Sequence, residues 1–178
     1  MTTLFKRLIP LMLCLMLLTG CAAAEDVEYI ESDQQLPNVT EIYGQHTKLD
    51  LTPYLGKTVL INFFTEWCVY CMQEMPDLKK VDEMYDDSAF QTIFVHVWDG
   101  EDESNTQSVK ERFGMQDMVF FEDTDSMVAY VTGLQGYPAT IIVSPEGDLL
   151  FGANSMMDEE MLTALLDTFG VPRAQEAE

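Results

Sequence analysis

The feature that most constrains the fold is a pair of cysteines that lies between an apolar run and a helical pattern. Residues 58–64 form the apolar run, and the motif Trp67-Cys68-Val69-Tyr70-Cys71 follows it closely. Further on, apolar residues recur at steps of three and four, which predicts a helix over 68–85 with a kink at Pro76. The order of strand, tight turn and helix places Cys68 at a helix N-terminus. Unpaired backbone N–H groups and the helix dipole favour a thiolate there.

The spacing of the two cysteines indicates dithiol redox chemistry. Cys71 lies one helical turn after Cys68, close enough to attack a mixed disulfide formed at Cys68. Cys68 is therefore the candidate nucleophile and Cys71 the resolving thiol. The pair could instead be half of a zinc site, but such a site usually needs a second pair of ligands. The only histidines, His46 and His96, are 50 residues apart, so we expect neither a metal nor any other cofactor.

The first 20 residues have the pattern of an export signal. Lys6 and Arg7 precede the apolar run 11–18, which is shorter than the roughly 20 residues that span a bilayer. Leu18-Thr19-Gly20-Cys21 then resembles a bacterial lipobox, which implies cleavage before Cys21 and lipid on its sulfur. We therefore expect an extracytoplasmic protein that is lipid-anchored to a bacterial membrane. The alternative is an unmodified Cys21 near the end of the signal.

The charge balance narrows the range of partners. The full chain carries a net charge of −22, and removal of Lys6 and Arg7 with the signal makes it −24. Such a surface repels nucleic acid and anionic lipid headgroups, and it suits either simple solubility or a basic partner. After the signal we expect a flexible tether over 21–35, one domain over 36–171, and a disordered tail over 172–178. The domain is expected to be a monomer.

Strand and helix patterns alternate beyond the cysteines. Strands are predicted over 92–98, 118–121, 139–143 and 149–151, together with a short β element between Val39 and Leu51. Helices are predicted from Ser104 or Asn105 to Phe113, over 125–131, and from a cap at Asp158 to Gly170. This order predicts an α/β fold in which helices flank a central mixed β-sheet.

Two motifs resemble those of a known family. Residues 56–76 have the pattern Gly-Lys, apolar strand, Asn-Phe, Trp-Cys-x-x-Cys, x-x-Glu-x-Pro, which is similar to that of TlpA/ResA-type membrane-anchored thiol–disulfide oxidoreductases. Gly136-Tyr137-Pro138-Ala139-Thr140 resembles their loop in which a cis-proline faces the dithiol. The resemblance covers about residues 36–170. It implies a thioredoxin-like fold with an inserted helix and strand and a short N-terminal β extension. Val69-Tyr70 departs from the Gly-Pro that is common between such cysteines, and Phe64 stands where a tryptophan is frequent.

The resemblance also implies roles for individual residues. Cys68, Cys71 and Pro138 would form the catalytic centre, Trp67 and Tyr137 would dock the substrate, and Glu74 would carry a proton to and from Cys71. The implied activity is reduction of disulfides in exported proteins. The electrons would come from a membrane redox protein, and the settings would include cytochrome c maturation or repair of oxidised thiols.

Glu66 lies two residues before Cys68, and its negative charge should raise the pKa of the Cys68 thiol. The nucleophile is therefore expected to be a moderate one, which favours a reductase.

Two other functions are open. Thr65-Glu66-Trp67-Cys68 fits a peroxiredoxin-like peroxidase, which also needs an arginine beside the sulfur, and Arg112 and Arg173 are the candidates. A copper-delivery protein would use Cys68 and Cys71 with His96 or methionines. His96 is expected to be a core histidine, and most of the methionines are expected to fill the core.

Overall fold

The computed structural model describes residues 41–43, 48–98, 106–126, 128–129 and 132–174. All of them fall within one compact unit, Ser32–Glu178. The predicted export signal, the lipid site at Cys21 and the tether lie outside these residues. Three of the seven residues in the helix predicted over 125–131, namely Met127, Tyr130 and Val131, also lie outside them. Across the part of the chain that is described, no helix has the length and apolarity to cross a membrane.

Seven strands and three helices are labelled here in chain order. The strands are β1 (Glu41–Tyr43), β2 (Lys48–Asp50), β3 (Thr58–Phe64), β4 (Phe90–Val97), β5 (Val119–Asp123), β6 (Ala139–Val143) and β7 (Leu149–Ala153). The helices are α1 (Val69–Met84), α2 (Thr106–Phe113) and α3 (Glu159–Thr168), and a 3-10 turn covers Thr52–Tyr54. The predicted β extension is the antiparallel pair β1–β2.

Five strands form one mixed sheet in the order β5-β4-β3-β6-β7. The central strand β3 runs parallel to β4 and antiparallel to β6. Every residue of β3 is buried, as its unbroken apolar run predicts for a strand covered on both faces. The mixed sheet with helices packed on it is a thioredoxin-like fold, which confirms the predicted class.

Alternate residues of the central strands face two separate cores. Leu60, Phe64 and Phe94 pack on the same side as helices α1 and α3. Ile61, Phe63 and their neighbours pack on the other side with the β1–β2 pair. Side chains alternate across a strand, so the even-numbered residues of β3 point towards α1. This places Asn62 beneath the helix that begins at the cysteines.

The residues after α3 pair with the C-terminal end of α1. The backbone N–H of Asp86 donates to Pro172 O at 3.0 Å, and that of Ala174 donates to Met84 O at 2.9 Å. Arg173 forms a β-bridge with Tyr85. The contacts of the domain therefore extend beyond the predicted end at residue 171, and three residues of the predicted tail 172–178 pair with the end of α1. Sequence reasoning missed this because the pairing uses backbone groups, which leave no mark in the side-chain pattern.

Candidate active site

The two cysteines form a disulfide at the first turn of α1. Cys68 is the N-cap residue of the helix, in an extended conformation, and Cys71 lies inside the first turn. The Cα atoms are 5.2 Å apart, within the range that a disulfide requires. The backbone N–H of Cys71 donates to Cys68 Sγ at 3.1 Å. The unpaired donors of the helix N-terminus thus point at the first sulfur, as the sequence predicted.

The two sulfurs differ in their access to solvent. Cys68 is 5% exposed and Cys71 is fully buried at 0%. An incoming thiol or disulfide therefore reaches Cys68 first, and Cys71 can act only on a bond already formed at Cys68. The difference in exposure favours Cys68 as the first point of attack, and the roles predicted for the two cysteines stay predictions.

Three large side chains around Cys68 are open to solvent. Trp67 is 64% exposed, Val69 is 65% exposed and Tyr70 is 63% exposed. Apolar side chains grouped on a surface beside a reactive centre mark an interaction site more often than scattered ones do. We call these three residues the apolar rim.

The loop that precedes β6 lies next to the dithiol. The Tyr137–Pro138 peptide bond is cis, as the motif predicted, and Pro138 is buried. Ala139, the next residue, pairs with Phe63 near the end of β3, where the chain turns towards the cysteines. Tyr137 packs against the core cluster that contains both cysteines. The residues predicted as a second motif are thus brought to the first.

Glu74 is buried one turn after Cys71. It is 1% exposed, so its carboxyl group is shielded from solvent. Asn62 Nδ2 donates to its Oε1 at 2.7 Å, and the backbone N–H of Met157 donates to its Oε2 at 3.1 Å. Burial raises the pKa of Glu74 from 4.5 to about 7, although the two hydrogen bonds oppose the rise. A carboxyl group beneath the dithiol therefore exchanges its proton near neutral pH.

Asn62 is the partner that sequence reasoning did not assign. Its amide also donates to Thr140 Oγ1 at 3.2 Å, so it links β3, β6 and α1 through side chains. Its Oδ1 is buried and makes no hydrogen bond within the described part of the chain. A lone amide in an otherwise apolar buried strand is the signal that could have identified it, because buried polar groups require partners.

Helix α2 contacts the turn that carries the cysteines. Ser108 Oγ donates to Glu66 Oε1 at 2.6 Å. At the start of the same helix, the backbone N–H of Thr106 donates to Glu122 Oε1 at 2.7 Å. The other oxygen of Glu122 lies 2.7 Å from Nδ1 of His96, which is 3% exposed. His96 is therefore a buried and satisfied histidine, as predicted.

In the described part of the chain, the residues that a peroxidase or a copper-delivery protein would need show no contact with the two cysteines that would support those functions. Arg112 is exposed on α2, where its guanidinium lies 5.2 Å from the ring of Phe113. Met75, Met115 and Met157 are buried in the core. Within the described residues, no cluster of three or more His, Cys, Asp or Glu side chains could hold a metal ion. The described contacts therefore support neither the peroxidase hypothesis nor the copper-delivery hypothesis.

Fold and site together define a thioredoxin-like protein with a dithiol/disulfide pair at the start of its first long helix. The chain belongs to the Redoxin family, whose model matches residues 31–165.

Among curated proteins, the chain is similar to the thiol-disulfide oxidoreductase ResA of Geobacillus thermodenitrificans, with 32% identity over 98 residues that cover 54% of each chain. It is also similar to ResA of Bacillus subtilis, with 24% identity over 135 residues that cover 76% of this chain and 74% of that protein. The match to the Geobacillus protein thus spans about half of that relative's length.

Solved structures share the fold at low sequence identity. A DsbF homologue from Corynebacterium diphtheriae matches with a TM-score of 0.63 and 21% identity, covering 79% of this chain and 90% of that one. The exposed lipoprotein thioredoxin Etrx1 of Streptococcus pneumoniae matches with a TM-score of 0.55 and 21% identity, covering 72% and 97% respectively. These likenesses confirm the thioredoxin-like architecture.

Proposed function

We propose that this protein is a thiol–disulfide oxidoreductase that reduces disulfides in exported proteins. The observation that carries the proposal is the Cys68–Cys71 disulfide at the first turn of α1, with its accessible sulfur capped by a helix N–H group. Its similarity to the ResA proteins, which bear the same activity in their names, supports this reaction class. The negative charge of Glu66 near Cys68 favours a moderate nucleophile and hence a reductant.

The reaction transfers two electrons from the reduced pair to a partner disulfide. The Cys68 thiolate attacks one partner sulfur, so that a mixed disulfide forms and the partner's second sulfur leaves as a thiolate. Cys71, once deprotonated, attacks Cys68 Sγ and releases the partner's first sulfur. The partner ends as a dithiol and the protein ends with its internal disulfide. A dithiol on a membrane redox protein restores the reduced pair by the reverse exchange.

Glu74 supplies the proton transfers that the second step requires. As a carboxylate it accepts a proton from Cys71, and as an acid it returns the proton when the pair is reduced again. A pKa of about 7 suits both directions near neutral pH. Its two hydrogen bonds, from Asn62 and Met157, hold the carboxyl group in place.

Trp67, Tyr137 and Pro138 dock the partner in this proposal. The exposed Trp67 offers an apolar contact beside Cys68. The loop at Tyr137 offers backbone groups with which an extended partner segment can pair, by the strand-addition mode of peptide recognition. The partner's disulfide is thereby placed over Cys68, the more exposed sulfur of the pair.

Location follows from the N-terminal sequence. The export signal over 1–20 and the lipobox-like Cys21 favour a lipid-anchored protein on the extracytoplasmic side of a bacterial membrane. That location suits both an exported substrate and a membrane electron donor, since disulfides persist outside the reducing cytosol. Radiolabelled palmitate incorporation that is lost in Cys21→Ser tests the anchor.

The activity is tested by insulin reduction with dithiothreitol as the electron source. The wild-type protein should accelerate precipitation of the insulin chains, and Cys68→Ser should show only the background rate of dithiothreitol. A quantitative thiol count should rise by two on reduction, from the Cys68–Cys71 pair. Full activity in Cys68→Ser, or an unchanged thiol count, contradicts the proposal.

A further inference from the structure

We propose that the preferred substrates are disulfides in positively charged polypeptide segments, with Lys or Arg next to the cysteine. This inference rests on the proposed function and adds a substrate class to it. Three observations carry it: the charges of the segments that surround the dithiol, the anchored carboxylate of Glu66, and the two aromatic faces of the apolar rim.

Helix α2, which contacts Glu66 through Ser108, carries Lys110 and Arg112, and these lie over the rings of Phe120 and Phe113. The three other segments that meet at the dithiol contain acids and no bases. They are residues 65–78, which carry the cysteines, the loop 132–138, and the segment 154–160 before α3. The loop is brought there by the packing of Tyr137, and the segment before α3 by the hydrogen bond from Met157 to Glu74. Together they hold six carboxyl groups and no Lys or Arg.

The nearest bases along the chain are already paired. Lys80 Nζ lies 3.1 Å from Asp77 and 3.2 Å from Glu159. Lys79 lies beside Glu83 and the carbonyl of Phe113. Lys80 therefore offsets part of the charge of Asp77 and Glu159, whereas Glu66, Asp158 and Glu160 form no ion pair within the described residues. The remaining negative potential at the reactive end of α1 attracts a cationic segment and repels an anionic one.

Glu66 places a fixed negative charge two residues before the nucleophile. Its Oε1 accepts the hydrogen bond from Ser108 on α2, and within the described residues no basic side chain pairs with it. An anchored carboxylate loses less conformational freedom when it binds a cation than a mobile one does. It therefore offers a defined contact for a Lys or Arg that adjoins the partner's cysteine.

The aromatic rings of Trp67 and Tyr70 suit the same ligand. Each ring is more than three-fifths exposed, and the two residues flank Cys68 and Val69 in the sequence. A Lys or Arg side chain that lies over such a ring gains a cation–π attraction, and its aliphatic part covers apolar surface. The apolar rim can therefore contact the aliphatic part of a Lys or Arg side chain, while the nearby carboxylates attract its charged end.

The test compares three peptides that differ only in charge. Each contains one disulfide, flanked by Lys, by Ser or by Glu, and each is mixed with the reduced full-length protein. The second-order rate constant is divided by that of dithiothreitol with the same peptide, which removes the effect of flanking charge on the disulfide itself. At low salt we expect the Lys peptide to exceed the Glu peptide by about tenfold or more. At about 1 M salt the ratio should approach one.

A pair of matched variants locates the effect. Glu66→Gln keeps an oxygen that can accept the Ser108 hydrogen bond but removes the charge, and it should lower the Lys-to-Glu ratio by about two- to fivefold. Glu146→Gln makes the same change in the exposed turn after β6, next to Gly56 at the start of β3. That turn is at the opposite end of the sheet from the cysteines. The Lys-to-Glu rate ratio of the Glu146→Gln variant should therefore match that of the wild type. A ratio rather than a rate is compared, so any change in the pKa of Cys68 cancels.

The outcomes separate this inference from the proposed function. If the Ser peptide is not reduced at all, the reductase function itself is wrong. If the Ser peptide is reduced and the three normalised rates are equal, or the Glu peptide is fastest, the function stands and the substrate class is overturned. An equal loss of the ratio in Glu66→Gln and Glu146→Gln also overturns the inference, because it shows an effect of net charge alone.

Discussion

The two ends of helix α1 are built in opposite ways. At its N-terminal end the side chains of Trp67, Val69 and Tyr70 are all more than three-fifths exposed. At its C-terminal end Tyr85 is 1% exposed, and its ring is covered by the guanidinium of Arg173 at 4.6 Å. The N-terminal end of α1 is therefore open, with apolar side chains exposed to solvent, and the C-terminal end is closed, with its aromatic side chain covered.

At the C-terminal end of α1, which we call the closed end, the polar side chains form hydrogen bonds and ion pairs with other residues of the chain. The Tyr85 hydroxyl donates its one proton towards Asp167 Oδ1 at 2.9 Å, and Thr163 O lies 3.1 Å from the same oxygen. Arg173 binds both carboxylate oxygens of Asp167, at 2.9 and 2.6 Å. At the open end, in contrast, a backbone N–H group is directed at a sulfur. The comparison teaches that contacts within the chain close the C-terminal end of α1, whereas the N-terminal end leaves apolar side chains open beside the reactive pair. The predictions below compare the two ends.

The largest effect is expected at the open end, from Cys71→Ser. Without the resolving thiol, the protein cannot release the mixed disulfide at Cys68 by itself. Product release from the pre-reduced protein, measured without dithiothreitol, should therefore fall by at least about a thousandfold. Mass spectrometry should detect the protein covalently joined to its substrate. Cys68→Ser serves as the control and should form no such adduct. An adduct in the control, or rapid turnover in Cys71→Ser, would place the nucleophile elsewhere.

The next effect concerns Glu74 and depends on pH. Its folded pKa of about 7 lies above its ordinary value of 4.5, so the native state binds the proton more tightly than the unfolded state. Its contribution to stability is therefore fully present below about pH 4.5 and is lost as the pH rises through 7. A pKa rise of that size corresponds to roughly 3 kcal/mol.

Glu74→Gln should remove that pH dependence. Glutamine stays neutral, and its amide group can donate to Asn62 Oδ1, the buried oxygen that has no partner. Urea unfolding of the oxidised protein between pH 5 and 8 should show a fall in stability for the wild type and a nearly flat line for the variant. The turnover of the variant should also lose its inflection near pH 7. A parallel fall in both proteins would show that another group titrates.

The sequence predicted the strands and the helix start around the cysteines better than it predicted the polar contacts that support them. β3 and β6 have the predicted bounds, because an unbroken apolar run marks a strand that is buried on both faces. The start of α1 also matches, since the N-cap position at Cys68 is fixed by the turn that follows β3. Both signals are local in the sequence, so one chain segment was sufficient to read them.

What could not be predicted depends on pairs that are far apart in the chain. Asn62 and Met157 hold Glu74, yet they lie 12 and 83 residues from it. The closure at Arg173 joins it to Tyr85 through a backbone bridge and to Met84, 89 positions away, through a side-chain contact. No periodicity encodes such contacts, because they form only when α3 and the chain after it pack against α1. For this reason, the polar residues that hold a site in place are harder to predict from sequence than its reactive residues.

A smaller effect is expected at the closed end, from Tyr85→Phe. The change keeps the ring under Arg173 but removes the hydroxyl that binds Thr163 and Asp167, which should cost about 1 kcal/mol of unfolding free energy. Insulin reduction should stay at the wild-type rate, because the hydroxyl is at the far end of α1 from the sulfurs. The shift in urea midpoint measures the first quantity. A loss of turnover without a loss of stability would contradict the separation of the two ends.

The smallest effect on stability is expected from Val69→Ser at the open end. Val69 is 65% exposed, so its removal should change the unfolding free energy by less than about 0.5 kcal/mol. Reduction of a protein disulfide should nevertheless slow by about threefold, since docking covers part of this apolar side chain. Reduction of a small disulfide such as hydroxyethyl disulfide should not change.

Val171→Ser provides the matched control, since it makes the same substitution at a buried valine, 6% exposed, packed in the core that α1 covers. It should cost about 2 kcal/mol or more of stability while leaving both reduction rates unchanged at temperatures where the protein is folded. If the two valines behave alike in both assays, α1 transmits changes along its length and its ends are not independent. If they behave oppositely, the exposure of an apolar side chain at the dithiol is explained by contact with a partner, because it contributes nothing measurable to the fold.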